Sequence, residues 1–175
     1  MDGCAADTVI ENETILHALY PPPRYLQIWD RLDPKGRQFI ARSPPLIMGS
    51  TQPDRGIDLS PRGGPPGFVH VPDDQTLIIP DRAGNNRLDT MSNLLVDCRV
   101  GLLFLIPGIA KILRIKGVTR LERDSRDSAA DWTHDSGKLV IVVAIRSAFI
   151  HCPRALRHSR LWDADYRTDS DAAPS

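Results

Sequence analysis

The chain has 175 residues, 41% of them hydrophobic, and a formal net charge of zero at neutral pH. This length suits one domain with its own core, and the balanced charge argues against a general nucleic-acid binder, which needs a basic surface. The apolar runs at 100–106 and 139–145 are shorter than the roughly 18 residues that span a bilayer. The first ten residues contain no basic side chain and so do not resemble a signal peptide. We therefore expect a cytoplasmic protein with no membrane partner and no nucleic-acid partner.

The first quarter of the chain is predicted to form short helices after a disordered start at residues 1–12. A helix over 14–19 ends at the prolines 21–23, and a second helical segment is predicted over 24–31. Asp33 and Pro34 open a third helix, which ends near Ser43, because proline is tolerated in a first helical turn.

After Pro45 the pattern becomes extended. Short strands are predicted at 46–48, 57–60, 68–71, 76–79, 100–106, 113–121 and 139–145, with loops or turns at 52–56, 62–67, 72–74 and 80–85. This density of short strands predicts a mainly β fold, a closed or partly closed β-barrel with flanking helices.

One longer helix is predicted among these strands, over 86–96. Leu88, Met91 and Leu95 recur at helical spacing and are expected on its buried face. Asn86 and Asp89 resemble a capping pair at its start. A last helix is predicted from Pro153 to residue 161.

Residues 79–90 are the first candidate site. They run from a strand through a glycine-containing turn to a helix start, where free N–H groups and the helix dipole attract phosphate. Arg82 and Arg87 add donors that match phosphate geometry. The alternative is a solvated loop with surface arginines, and the chemistry alone leaves it open.

Two other stretches suit ligand binding less specifically. Residues 60–64 place Ser60 and Arg62 beside glycines, which let a backbone approach a flat ligand closely; on these residues alone an ordinary loop is favoured. Residues 149–162 are basic and aromatic and suit an anionic ligand or a partner subunit. His151 and Cys152 have no second pair at ligand spacing, so no metal site is expected.

The middle of the chain contains the segments FVHVPDD at 68–74, IPDRAGNNRLDT at 79–90 and RVGLLFLIPG at 99–108. Together they resemble a subgroup of the pyridoxamine 5'-phosphate oxidase-like FMN-binding proteins. The similarity extends from residue 16 to residue 162 and includes Asp33-Pro34, Ser60-Pro61-Arg62-Gly63 and Leu113-Arg114.

The resemblance implies a six-stranded split β-barrel of the FMN-binding type. A single split-barrel flavin-binding domain with N-terminal helices would then occupy residues 13–162, followed by a flexible tail over 163–175. The resemblance also implies a homodimer with two FMN molecules at the subunit interface, and an FMN-dependent oxidoreductase activity.

The resemblance also assigns residues to the cofactor. A strand ending in a basic residue contacts the flavin, basic residues at the next helix start hold the phosphate, and the last segment reaches the neighbouring subunit's flavin. The cofactor-binding residues predicted in this way are Ser60, Arg62, Gly63, Pro80, Arg82, Asn86, Arg87, Arg157, Arg160 and Trp162. No catalytic residue is assigned.

The sequence also departs from the family's oxidases. They end in an Arg-Leu-any-Pro pattern, whereas Arg160-Leu161 is followed here by Trp162-Asp163, so pyridoxamine phosphate is not the expected substrate. Two function classes stay open: an FMN-dependent oxidoreductase, in which the protein binds and orients the flavin, and a non-catalytic module that carries or senses flavin, F420 or haem.

Overall fold

The structure is a computed structural model that describes residues 9–21, 28–82, 86–124, 136–151 and 153–163. Its helices are α1 (Glu13–Ala18), α2 (Pro34–Ala41), α3 (Asp89–Val96) and α4 (Arg154–His158). Its strands are β1 (Pro45–Gln52), β2 (Gly56–Gly63), β3 (Thr76–Arg82), β4 (Arg99–Ile106), β5 (Ile109–Arg123) and β6 (Ser136–His151).

All six strands belong to one antiparallel sheet in the order β2-β1-β4-β5-β6-β3. β1 and β2 form a hairpin, and the long strands β5 and β6 pair along most of their length. β2 and β3 are the two edges and are not hydrogen-bonded to each other in the part of the chain described here. The sheet is therefore a barrel that is split between these two strands.

A register shift between β5 and β6 lies at Gly117. A Cβ atom at this position would lie 2.7 Å from the carbonyl oxygen of Ala144 and 2.6 Å from Cγ1 of Val143. Only glycine allows the two strands to come this close, and such irregularities increase the local twist of a sheet. The register shift at Gly117 therefore favours the curl that brings the edge strands towards each other.

The core lies on the concave face of the sheet, where alternate side chains point inward. Leu46 and Met48 of β1 face Phe104 and Leu102 of β4, and all four are nearly or completely buried. Helix α2 adds Phe39 and Ile40, and α3 adds Met91 and Leu94. The mainly β fold and the six strands implied by the resemblance are confirmed. The strand predicted at 68–71 is absent, and His70 forms only an isolated β-bridge with Ile78.

The first and third predicted helices are present as α1 and α2. In α2 the side chain of Asp33 caps the helix by accepting a hydrogen bond from the backbone N–H of Gly36 at 2.7 Å. The helical segment predicted over 24–31 is wrong for its described part, residues 28–31. Trp29 instead forms a β-bridge with Ala148, which a sequence pattern of apolar residues at helical spacing does not reveal.

The edge strands are longer than the sequence indicated. β2 continues through Arg62 and Gly63, and β3 continues through Pro80 to Arg82, where loops were predicted. Proline lacks the N–H that a central strand needs, but an edge strand tolerates it because one side of its backbone is unpaired. As a result, Arg62 and Arg82 lie on strands.

The predicted buried face of α3 is only partly correct. Met91 is buried, whereas Leu88 and Leu95 are 60% and 76% exposed, and Thr90, Asn93 and Leu94 are buried instead. The two polar side chains have partners on the sheet, because Thr90 donates to Asp58 at 2.9 Å and Asn93 donates to Ser50 at 3.2 Å. Hydrophobic periodicity does not predict the burial of polar side chains such as these.

The predicted capping pair of α3 is also absent. Leu88 is the residue at the helix start, and no side chain caps the helix there. Asn86 adopts a φ of 60°, in the left-handed region that asparagine tolerates better than most residues. It therefore turns the chain into the helix rather than capping it.

At the C-terminus the predicted helix is present but shorter, as α4, which packs against β5. The disordered start predicted over 1–12 and the flexible tail predicted over 163–175 lie largely outside the described residues. No described helix is long and apolar enough to cross a membrane. The cytoplasmic location stays a prediction.

Candidate functional site

A cleft of about 610 Å³ opens between the edge strands β2 and β3 and the start of α3. It occupies the gap where the barrel is split, so the break in strand pairing makes room for a ligand. Seven of the ten predicted cofactor-binding residues line this cleft: Ser60, Arg62, Gly63, Pro80, Arg82, Asn86 and Arg87. The structure brings these residues together, and their binding of FMN stays a prediction.

An ion pair joins the two edge strands inside the cleft. Nη1 of Arg62 on β2 donates to Oδ1 of Asp81 on β3 at 3.0 Å. The two side chains are only 19% and 18% exposed, so water screens the pair less than it screens a surface pair. Nε of Arg62 is buried and has no hydrogen-bond acceptor among the described residues.

Arg82 is the second arginine of the inner cleft, and it is half-buried. Its Nε is buried without an acceptor in the described part of the chain, where it also has no carboxylate partner. Its Nη2 lies against Gly64, 3.0 Å from the position that a Cβ atom would take there. The side chain is therefore held in place by packing, with a donor group still available.

Arg87 differs from the other two arginines because it lies on the rim of the cleft. Its side chain is 76% exposed and donates to Asp89, with Nε and Nη2 each 2.9 Å from Oδ2. Arg55 approaches the same carboxylate at 3.6 Å. Exposed pairs of this kind contribute little energy, so Arg87 offers a weaker and more screened charge than Arg82.

Part of the cleft wall is apolar. Phe68 is 2% exposed and Met91 is 5% exposed, and both line the cleft together with Pro80. An apolar wall with a few converging donors is the usual composition of a site for a small organic ligand. The arrangement suits a flat molecule that carries an anionic group.

Sequence reasoning missed several residues of the cleft. Phe68 and Asp81 lie within the segments that carried the family resemblance, but neither was assigned a role. The contact of Asp81 with Arg62 joins two strands that are not paired, so neither spacing nor strand alternation predicts it. For Asp81 the only available signal was a carboxylate directly beside a predicted phosphate-binding arginine.

The three predicted C-terminal residues do not line the cleft of their own chain. Arg157 is exposed on α4, Arg160 donates from Nε to Asp163 at 2.7 Å, and Nε1 of Trp162 is buried without an acceptor among the described residues. Their predicted contact with a neighbouring subunit's flavin stays a prediction. Cys152 lies outside the described residues.

The described residues include no group of three or more His, Cys, Asp or Glu side chains placed to hold a metal ion. The cleft-lining residues in particular include no histidine and no cysteine. The titratable groups of the cleft are therefore arginines and aspartates only, which suit anion binding and hydrogen bonding.

The curled sheet defines a split-barrel protein with a cleft between the edge strands. Residues 32–152, more than half of the chain, match the family model described as pyridoxamine 5'-phosphate oxidase. The chain belongs to the pyridoxamine 5'-phosphate oxidase-like family, as its sequence resemblance predicted. No curated protein matches the sequence.

Two solved structures share this fold at low sequence identity. The tagged HupZ protein from Group A Streptococcus has a TM-score of 0.54 and 12% identity, and the match covers 68% of this chain and 93% of that one. A protein from Lactobacillus delbrueckii described as a putative pyridoxamine 5'-phosphate oxidase has a TM-score of 0.52 and 13% identity, with coverage of 69% and 95%.

Proposed function

We propose that the protein binds FMN in the cleft between β2 and β3 and acts as an FMN-dependent oxidoreductase. One observation carries the proposal: the Nε atoms of Arg62 and Arg82 are buried beside the cleft without an acceptor among the described residues. A buried donor without a partner costs about 1–3 kcal/mol. A ligand that supplies acceptors to both arginines removes this cost.

The chemistry of FMN matches the residues that are present. Its single phosphate suits Arg82, a half-buried arginine with no carboxylate partner in the described chain. Its flat ring suits the wall formed by Phe68, Pro80 and Met91, and Ser60 and Arg62 offer polar groups to the ring edge. When bound, the flavin supplies the redox chemistry, while the protein binds it, orients it and excludes water.

The alternative is a module without turnover that carries or senses flavin, F420 or haem. Haem fits less well, because the residues lining the cleft include neither histidine nor cysteine, the common ligands of haem iron. F420 shares a flat ring and a phosphate with FMN, so the geometry of the cleft does not separate these two cofactors.

The proposal includes a homodimer, because Arg157, Arg160 and Trp162 do not line the cleft of their own chain and the resemblance assigns them to a neighbouring subunit's flavin. A chain truncated after Cys152 tests this part. Loss of both the dimer and FMN binding supports a role of α4 and its neighbours at the interface. A truncated protein that stays dimeric with unchanged FMN affinity shows that the role is wrong.

The absorption spectrum of the purified protein is the first test, because flavin, deazaflavin and haem have distinct spectra. We then expect the protein to bind FMN more tightly than riboflavin, which lacks the phosphate but keeps the ring. Equal affinity for the two would contradict the phosphate site. Oxidation of NADH or NADPH faster than by free FMN would separate an oxidoreductase from a carrier.

A further inference from the structure

The charges inside the cleft are unequally compensated. Asp81 has a side chain that is 18% exposed, whereas Asp89 on the rim is 42% exposed. Asp81 lies opposite Arg62 at 3.0 Å. Arg82, the next residue along β3, has no carboxylate partner in the described chain. Of these two arginines, one therefore has a carboxylate partner and the other does not. Asp58, which also lines the cleft, accepts a hydrogen bond from Thr90.

We propose that Asp81 determines which ligand charge the cleft accepts. By holding Arg62 in an ion pair, Asp81 leaves one place for an anionic group, at Arg82, and leaves at Arg62 a hydrogen-bond donor whose charge is compensated. The cleft then selects a ligand with one phosphate-type group and an uncharged body. This inference rests on the proposed function only in placing the ligand in this cleft.

The physical basis is the cost of a second anion near the pair. Such an anion would either lie beside the negative charge of Asp81 or replace it as the partner of Arg62. Breaking a largely buried ion pair leaves a charge without compensation, which is strongly unfavourable. The free Nε–H of Arg62 is different, because it can donate to a neutral acceptor, such as a ring carbonyl, without disturbing the pair.

The Asp81→Asn variant tests the proposal, because asparagine keeps the size of the side chain and removes its charge. The probes are inorganic phosphate and pyrophosphate, whose dissociation constants are measured by calorimetry or NMR titration. We expect the preference for pyrophosphate over phosphate to rise about tenfold in the variant, because Arg62 becomes available to a second phosphate group. An unchanged preference would overturn the proposal.

Two further variants separate the role of Asp81 from a general loss of negative charge. Asp89→Asn removes the same charge from the rim, and we expect it to change the preference less than about threefold. In the double variant Arg62→Gln/Asp81→Asn we expect no increase in the preference for pyrophosphate over phosphate. An equal effect of Asp89→Asn, or a gain that persists without Arg62, would count against the proposal.

Thermal denaturation would reveal a misfolded Asp81→Asn variant. In that case the Arg62→Gln variant tests the proposal instead. Without Arg62, the charge of Asp81 lies uncompensated beside Arg82, so phosphate binding should weaken about tenfold. Unchanged phosphate binding would overturn the inference. FMN binding is measured separately, so a protein that fails to bind FMN but shows the pyrophosphate effect refutes the proposed function alone.

Discussion

Gly64 lies so close to Arg82 and Phe68 that it has no room for a side chain. A Cβ atom at Gly64 would be 3.0 Å from Nη2 of Arg82 and 2.7 Å from Cβ of Phe68. Cβ atoms in proteins do not approach other atoms this closely without a shift. Gly64 therefore positions both a half-buried cation and an apolar wall residue of the cleft.

We predict that Gly64→Ala weakens FMN binding about tenfold, because a displaced guanidinium loses the geometry of a charge-assisted hydrogen bond. The same overpacking is expected to lower the free energy of unfolding by about 1–3 kcal/mol. Fluorescence titration and chemical denaturation measure the two effects. Gly101→Ala is the matched control, since a Cβ there meets nothing within 4 Å, and it should change neither quantity appreciably.

The arginines of the cleft are expected to contribute unequally. Both Arg82 and Arg87 were assigned to the phosphate from the sequence, but Arg87 is 76% exposed and paired with Asp89. We predict that Arg82→Gln weakens FMN binding by about one to two powers of ten, as expected for one lost charged hydrogen bond. Arg87→Gln should weaken it less than about threefold. Equal losses in the two variants would contradict this division of roles.

The strands were the most predictable part of the fold. Runs such as 100–106 and 139–145 are continuous and apolar, and the second is rich in β-branched residues, so their type follows from local composition. The pairing of the strands does not follow from local composition, because β3 pairs with β6 across more than fifty residues of sequence. The extension of β2 through Gly63 was missed since its hydrogen bonds come from β1, which local preferences do not include.

The site was predictable only as a set of candidate residues. The turn before α3 and its arginines have a recognisable chemistry, and the family resemblance added Ser60 and Arg62. The pairing of Arg62 with Asp81 and the close packing of Gly64 depend on how two edge strands approach through space. Sequence spacing contains no information about such distances, so these contacts required the structure.

Asp97 at the end of α3 is expected to titrate at an unusually low pH. Side-chain hydrogen bonds from Arg99, at 2.6–3.0 Å, and one from its backbone N–H lower the pKa of Asp97 from 3.8 to about 2. Because the folded-state pKa is the lower one, the stabilisation is present above pH 3.8 and is lost as the pH falls towards 2.

NMR titration of the Asp97 carboxyl measures this pKa directly. In Arg99→Gln we expect the pKa to rise part of the way towards 3.8, since the backbone N–H of residue 99 still donates. The stability of this variant should accordingly depend less on pH between pH 3.8 and about pH 2. A wild-type carboxyl that titrates at its ordinary value would contradict the prediction.

The outer face of β2 provides the last prediction, which concerns the homodimer. Ile57 is 81% exposed and does not line the cleft, although it lies on the same strand as Ser60 and Arg62. Burying an exposed isoleucine or leucine contributes about 1.5–3 kcal/mol, so a second subunit that covers this face gains stability and lies close to the ligand.

We expect the Ile57→Asp variant to sediment as a monomer and to bind FMN at least about tenfold more weakly, because a charged residue at the centre of an interface opposes association. Val9→Asp is the control, because Val9 is similarly exposed, at 63%, but lies before α1. An Ile57→Asp variant that remains dimeric would place the interface elsewhere. A monomer with unchanged FMN affinity would show that one chain completes the site, because the C-terminal residues assigned to the neighbour's flavin would then contribute nothing to binding.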